Sequence, residues 1–114
     1  MTSPITTHVL DLQRGTPAVG IRVRLQKVTE ESIHHLAEGE TNLNGRLTDL
    51  LPPGNVKPGI YRLHFATKAY FESVGQEDVF YPSVAVDFVV TESRAHYHVP
   101  LLLAAFGYST YRGS

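Results

Sequence analysis

Gly20-Ile21-Arg22-Val23-Arg24-Leu25-Gln26-Lys27-Val28 alternates apolar with basic side chains at period two. An extended backbone sends successive side chains to opposite faces, so this stretch predicts a strand with one face buried and one in water. The same logic works outward in both directions. Ile5 to Leu12 predicts a strand, cut off by Arg14-Gly15-Thr16-Pro17. Downstream, Ser32 to Glu40 predicts another, and Asn42-Leu43-Asn44-Gly45 a tight turn, because Asn and Gly tolerate positive φ. Arg46 to Leu50 resumes an extended path, and Pro52-Pro53-Gly54 with Lys57-Pro58-Gly59 marks a long loop. Ile60 to Thr67, Val84 to Thr91 and Tyr97 to Leu103 predict further strands, with Phe106 to Tyr111 pairing back on the last. Lys68 to Gly75, ending on glycine, is the one short helix. Seven or eight strands and one helix most simply make an all-β sandwich, read as a single domain over residues 1–114.

Composition narrows the function classes. A chain of 114 residues is long enough to bury a core without staples, and it has no cysteine, which removes disulfides, zinc–thiolate sites and thiol nucleophiles. The net charge is −1 with Lys and Arg scattered, so neither a nucleic-acid nor a membrane partner is expected. Met1 to Ile5 lacks the basic and apolar pattern of a signal peptide, and Leu101 to Phe106 is too short to span a bilayer. A cytoplasmic location is therefore expected, with the peroxisome left open. No phosphate loop, Gly-x-Ser-x-Gly elbow or His-Glu-x-x-His motif is present.

Histidines are the remaining chemical signal. His96 and His98, two apart on a strand, would share one face with Cα atoms roughly 7 Å apart. That pair reads first as two exposed polar residues opposite a core face, and otherwise as part of a metal site needing a third ligand or as acid/base groups titrating near neutrality. His8 lies in the first strand and points with Thr6 and Leu10. By itself His8 reads as a hydrogen-bonded histidine on a sheet surface; His34 and His35, which are adjacent and face opposite ways, and His64 read the same way. Arg46 follows the Asn-Gly turn, where its planar fork can reach a cleft and hold a carbonyl-rich ligand, or simply be an exposed charge. The strand pattern of Gly107 to Tyr111 runs almost to Ser114, which suggests that the terminal segment is tied down.

Three segments together resemble the 5-hydroxyisourate hydrolases, also called transthyretin-related proteins. They are Thr7-His8-Val9-Leu10-Asp11 with Gly15-Thr16-Pro17-Ala18; Thr41-Asn42-Leu43-Asn44-Gly45-Arg46; and His96-Tyr97-His98-Val99-Pro100-Leu101-Leu102 running on to Gly107-Tyr108-Ser109-Thr110-Tyr111-Arg112-Gly113-Ser114. Phe80-Tyr81-Pro82 is similar too, so the likeness spans the chain. The terminal Tyr-Arg-Gly-Ser separates these hydrolases from the hormone-carrying transthyretins of the same fold. The resemblance implies a transthyretin-like sandwich assembled as a homotetramer, a dimer of dimers with clefts between dimers. It implies His8, Arg46 and His98 as catalytic residues, and Tyr111, Arg112, Gly113 and Ser114 as a substrate-binding wall with His96 as a neighbour. It further implies hydrolysis of the cyclic amide of 5-hydroxyisourate to 2-oxo-4-hydroxy-4-carboxy-5-ureidoimidazoline, a step of urate degradation, with no metal and no cofactor. Which histidine is the base stays open. The competing expectations are a carrier of small aromatic ligands, a protein-binding sandwich, and a metal site at His96 and His98.

Overall fold

The computed structural model describes residues 2–114. In chain order the elements are β1 (Ile5–Asp11), β2 (Thr16–Pro17), β3 (Arg22–Val28), β4 (Ile33–Glu40), β5 (Arg46–Leu47), β6 (Gly59–Phe65), α1 (Thr67–Ser73), β7 (Val84–Val90), β8 (Tyr97–Ala104) and β9 (Gly107–Thr110). One sheet runs β2-β1-β8-β9 with β5 also paired to β1; the other runs β4-β3-β6-β7. Seven strands of four or more residues match the expected ones, and β2 and β5 are two-residue additions. The path from Arg46 to Leu50 is thus a strand only at its first two residues. Past Leu47 it leaves β1, with the Thr48 carbonyl accepting from the Ser3 amide at 2.8 Å.

The alternation in β3 holds as expected: Ile21, Val23 and Leu25 are fully buried while Arg22 and Arg24 are exposed. The inward residues of both sheets meet in one core, with Val9, Leu101 and Leu103 from the first and Leu25, Leu63 and Phe65 from the second. Apolar surface removed from water at this interface drives the two layers together. The helix closes one end, burying Tyr70 and Phe71. The Tyr70 hydroxyl donates to the Asp11 carboxylate at 2.6 Å, so a buried charge at the end of β1 is held by the helix.

One pairing matters most for the site. β1 and β8 run parallel, with Thr6 opposite His98 and His8 opposite Pro100, although about ninety residues separate them. On the other edge of β1, His8 lies opposite Arg46 of β5.

Candidate active site

β1, β5 and β8 bring His8, Arg46 and His98 to the outer face of the first sheet. In β8, Tyr97, Val99, Leu101 and Leu103 point inward and are buried, so His98 and its even-numbered neighbours point outward. His96 lies immediately before the strand, and its ring comes within 6.3 Å of the His98 ring, centroid to centroid. Thr6, on the same face of β1, connects the two. Its hydroxyl is 2.9 Å from His96 Nε2 and 2.8 Å from His98 Nδ1, and the residue is buried beneath both rings. Thr6 drew no attention in the sequence beyond sharing a face with His8. A threonine inside a strand is ordinary, and only the parallel pairing of β1 with β8 puts it between two imidazoles.

Arg46 is aimed by its turn. Asn42 Oδ1 accepts from the Asn44 amide at 2.9 Å and from the Arg46 amide at 3.0 Å, which closes the loop ahead of β5. Gly45 has φ +75, and a Cβ there would come 2.5 Å from the Val9 carbonyl oxygen, so the turn sits flush on β1 and requires glycine. His8 Nε2 lies 2.9 Å from the Asn44 carbonyl oxygen. A carbonyl only accepts, so Nε2 carries the hydrogen and donates it, leaving Nδ1 as the ring's free lone pair.

Burial and the neighbouring cation favour the neutral form of both rings. His98 is held below the ordinary 6.5 mainly by burial, then by Arg46, His96 and His8, with a backbone hydrogen bond at Thr6 opposing. His8 is also lowered, first by burial and then by Arg46, with its bond to Asn44 opposing. Neutral imidazoles beside a fixed guanidinium can take a proton while the cation stabilises a developing anion.

The terminal segment reaches the same place. The Gly113 amide donates to the His98 carbonyl at 2.8 Å. A Cβ on Gly113 would meet His98 Cδ2 at 2.6 Å, so the backbone passes directly against the imidazole. Arg112 sets its guanidinium 4.6 Å from the Tyr97 ring centroid, and Tyr97 points to the opposite side of β8 from His98. Tyr111 and Ser114 are exposed. The other histidines lie apart: His34 bonds Ser32 at 2.8 Å, His35 pairs with Glu38 at 3.5 Å, and His64 faces Arg24 across β3 and β6. Among the described residues, no group of three or more His, Cys, Asp or Glu side chains is placed to hold a metal ion.

Comparison with known proteins gives the family and the fold. The model of the HIUase/Transthyretin family matches residues 5–113. The chain belongs to that family. Within the HIUase/Transthyretin family, it is 46% identical to a Mus musculus protein named 5-hydroxyisourate hydrolase, over 98% of this chain and 96% of the relative. A Klebsiella pneumoniae 5-hydroxyisourate hydrolase structure superposes with TM-score 0.84 at 38% identity, over all of both chains. Sea bream transthyretin, solved in complex with thyroxine, superposes with TM-score 0.89 at 30% identity, over 97% of this chain and 95% of its own. The same fold therefore serves a 5-hydroxyisourate hydrolase and a thyroxine-bound transthyretin, so the fold alone does not assign a function.

Proposed function

We propose that this chain is a 5-hydroxyisourate hydrolase, with His8, Arg46 and His98 as its catalytic residues. The observation that carries the reading is the convergence of two imidazoles and one guanidinium on a single sheet face, beside the Tyr111–Ser114 segment. High identity to named hydrolases over nearly the full chain supports it.

Hydrolysis of a cyclic amide needs a base for water, a donor for the oxyanion and an acid for the leaving nitrogen. One imidazole takes a proton from water as its oxygen bonds to the ring carbonyl carbon. Arg46 binds the carbonyl-rich edge of the substrate and stabilises the resulting oxyanion. The tetrahedral intermediate then collapses, the carbon–nitrogen bond breaks, and the imidazolium returns its proton to the departing nitrogen. The product carries a new carboxylate and the opened ring. Tyr111, Gly113 and Ser114 form the wall that orients the substrate, with His96 at its margin, while Arg112 contributes through its backbone and anchors the segment on Tyr97.

The site needs a second copy to become a cleft. One concavity of the isolated chain, about 210 Å³, is lined by Leu10, Asp11, Leu12, Gly15, Thr16 and Pro17; another, about 320 Å³, lies at Glu72, Gly75, Gln76 and Glu77. Neither includes the histidines. Leu12, Val19, Leu43 and Tyr111 are exposed apolar or aromatic side chains, the kind of surface that another copy covers. A homotetramer, as a dimer of dimers with the single domain repeated, would enclose the histidine face on both sides.

The test is the decay of freshly generated 5-hydroxyisourate, followed by absorbance. The purified protein accelerates the decay catalytically with no metal added. Saturable binding of an aromatic hormone with no acceleration would instead make the chain a carrier of the kind represented by sea bream transthyretin.

A further inference from the structure

Among the described residues, Thr6 is the one buried polar side chain that joins two histidines of the candidate site, and the mechanism above leaves it without a role. Its hydroxyl has one hydrogen to donate, yet it stands 2.9 Å from His96 Nε2 and 2.8 Å from His98 Nδ1. With a single hydrogen it donates to one ring and accepts an N–H from the other. The two arrangements have opposite consequences for His98. If Thr6 donates to His98 Nδ1, the neutral ring carries its hydrogen on Nε2 and has no lone pair left for water. If Thr6 donates to His96 Nε2, His98 Nδ1–H donates to Thr6, and Nε2 is left bare.

We propose that Thr6 is a positioning residue that relays a hydrogen bond from His98 to His96, which makes His98, through its bare Nε2, the general base. The chain of donors runs His98 Nδ1–H to Thr6 Oγ1, then Thr6 O–H to His96 Nε2. His96 is thereby the terminal acceptor and carries its own hydrogen on Nδ1. His98 Nε2 has no hydrogen-bond partner among the described residues, and the terminal backbone at Gly113 passes against the adjoining Cδ2. The reactive edge of the ring is thus the edge facing the proposed substrate wall.

The two candidate catalytic rings differ in the atom that is already bonded. His8 has committed Nε2–H to the Asn44 carbonyl. The two rings therefore present different atoms: His98 offers Nε2 and His8 offers Nδ1. When His98 takes a proton from water, the positive ring keeps its Nδ1–H bond to Thr6, which is stronger to an imidazolium than to a neutral ring. Thr6 thus stabilises the state formed during the reaction more than the resting one.

The catalytic consequence rests on the hydrolase reading, but the tautomers do not, and the two are tested separately. Nitrogen-15 NMR of the imidazoles in the wild-type protein reads the tautomers with no substrate, the rings being assigned through His8→Asn, His96→Asn and His98→Asn. Nδ1–H on both His96 and His98, with Nε2–H on His8, is the expected result. Nε2–H on His98 overturns the relay whether or not the protein is a hydrolase.

The kinetic arm uses Thr6→Val, which keeps the β-branched shape, and Thr6→Ser, which keeps the hydroxyl. Thr6→Val is expected to lower kcat by about 10- to 100-fold, the range for losing a hydrogen bond to a charged group. KM stays unchanged because Thr6 does not touch substrate. The acidic limb of the kcat/KM profile moves to lower pH, since the imidazolium loses an acceptor while Arg46, His8 and His96 still face it. Thr6→Ser restores most of the rate and the original limb. A Thr6→Val protein with wild-type kcat and an unmoved pH limb would overturn the proposal. If that variant does not fold, the wild-type tautomers still decide.

Discussion

A histidine near the surface is ordinarily half-protonated close to pH 6.5, but His8 and His98 are not free to behave so. Burial disfavours the charge on both rings, and Arg46 adds to the effect. Removing that guanidinium should reverse part of the shift. Arg46→Gln is expected to move the acidic limb of the kcat/KM profile up toward 6.5 while lowering the maximum rate, and a limb that stays put would place Arg46 away from the rings. The same lowered values act on stability. Because the folded rings bind protons more weakly than unfolded ones, their contribution is present above about pH 6.5 and is lost as pH falls through the folded values. His64, lowered by burial, Arg24 and Arg62, adds to the effect in the same window. Urea midpoints should therefore fall between about pH 7.5 and about pH 5.5. Asp87, held below its usual 3.8 mainly by a hydrogen bond from Arg62, loses its contribution only at lower pH. Gly113 makes the sharpest steric prediction at this scale. A methyl group there meets His98 Cδ2 at 2.6 Å and Pro100 Cγ at 3.2 Å. Gly113→Ala should lower kcat by about 10-fold or more through a displaced ring, with an unchanged thermal midpoint, since the segment is largely exposed.

Between elements, the Tyr70–Asp11 bond ties α1 to the end of β1. Both residues are buried, burial and the carboxylate push the Tyr70 hydroxyl well above its ordinary pKa, and it remains a donor throughout the accessible pH range. Tyr70→Phe should cost about 1.5–3 kcal/mol in urea unfolding, because the Asp11 carboxylate loses a charged-group hydrogen bond. A loss below about 0.5 kcal/mol would mean that water replaces the hydroxyl. Element boundaries also show what the sequence could and could not reveal. The alternation of β3 and the inward set Tyr97, Val99, Leu101 and Leu103 of β8 were legible because each pattern repeats over several residues. β2 and β5, with two residues apiece, are too short to carry a period. In β4 a register irregularity opposite Leu25 and Gln26 interrupts the alternation, so its exposed Ile33 and Leu36 do not follow a simple inside–outside rule.

At the scale of the whole molecule, the site is a product of topology. His8 and Arg46 meet across an antiparallel pair, but His98 joins them only because β8 lies parallel to β1, and no local pattern announces a pairing between distant segments. The resemblance of separate segments to one family supplied what periodicity could not. Thr6 escaped notice for the same topological reason. Assembly is the remaining layer: light scattering should give a tetramer, and fusing a bulky tag after Ser114 should impair turnover by crowding the His98 side of the sheet. No helix among the described residues is long and apolar enough to cross a membrane. The most direct test of the central claim is the rate of 5-hydroxyisourate decay with His98→Asn, in protein shown by circular dichroism and light scattering to be folded and assembled like wild type. Loss of the base predicts a fall of roughly 100-fold or more, whereas wild-type turnover in that variant would contradict the account.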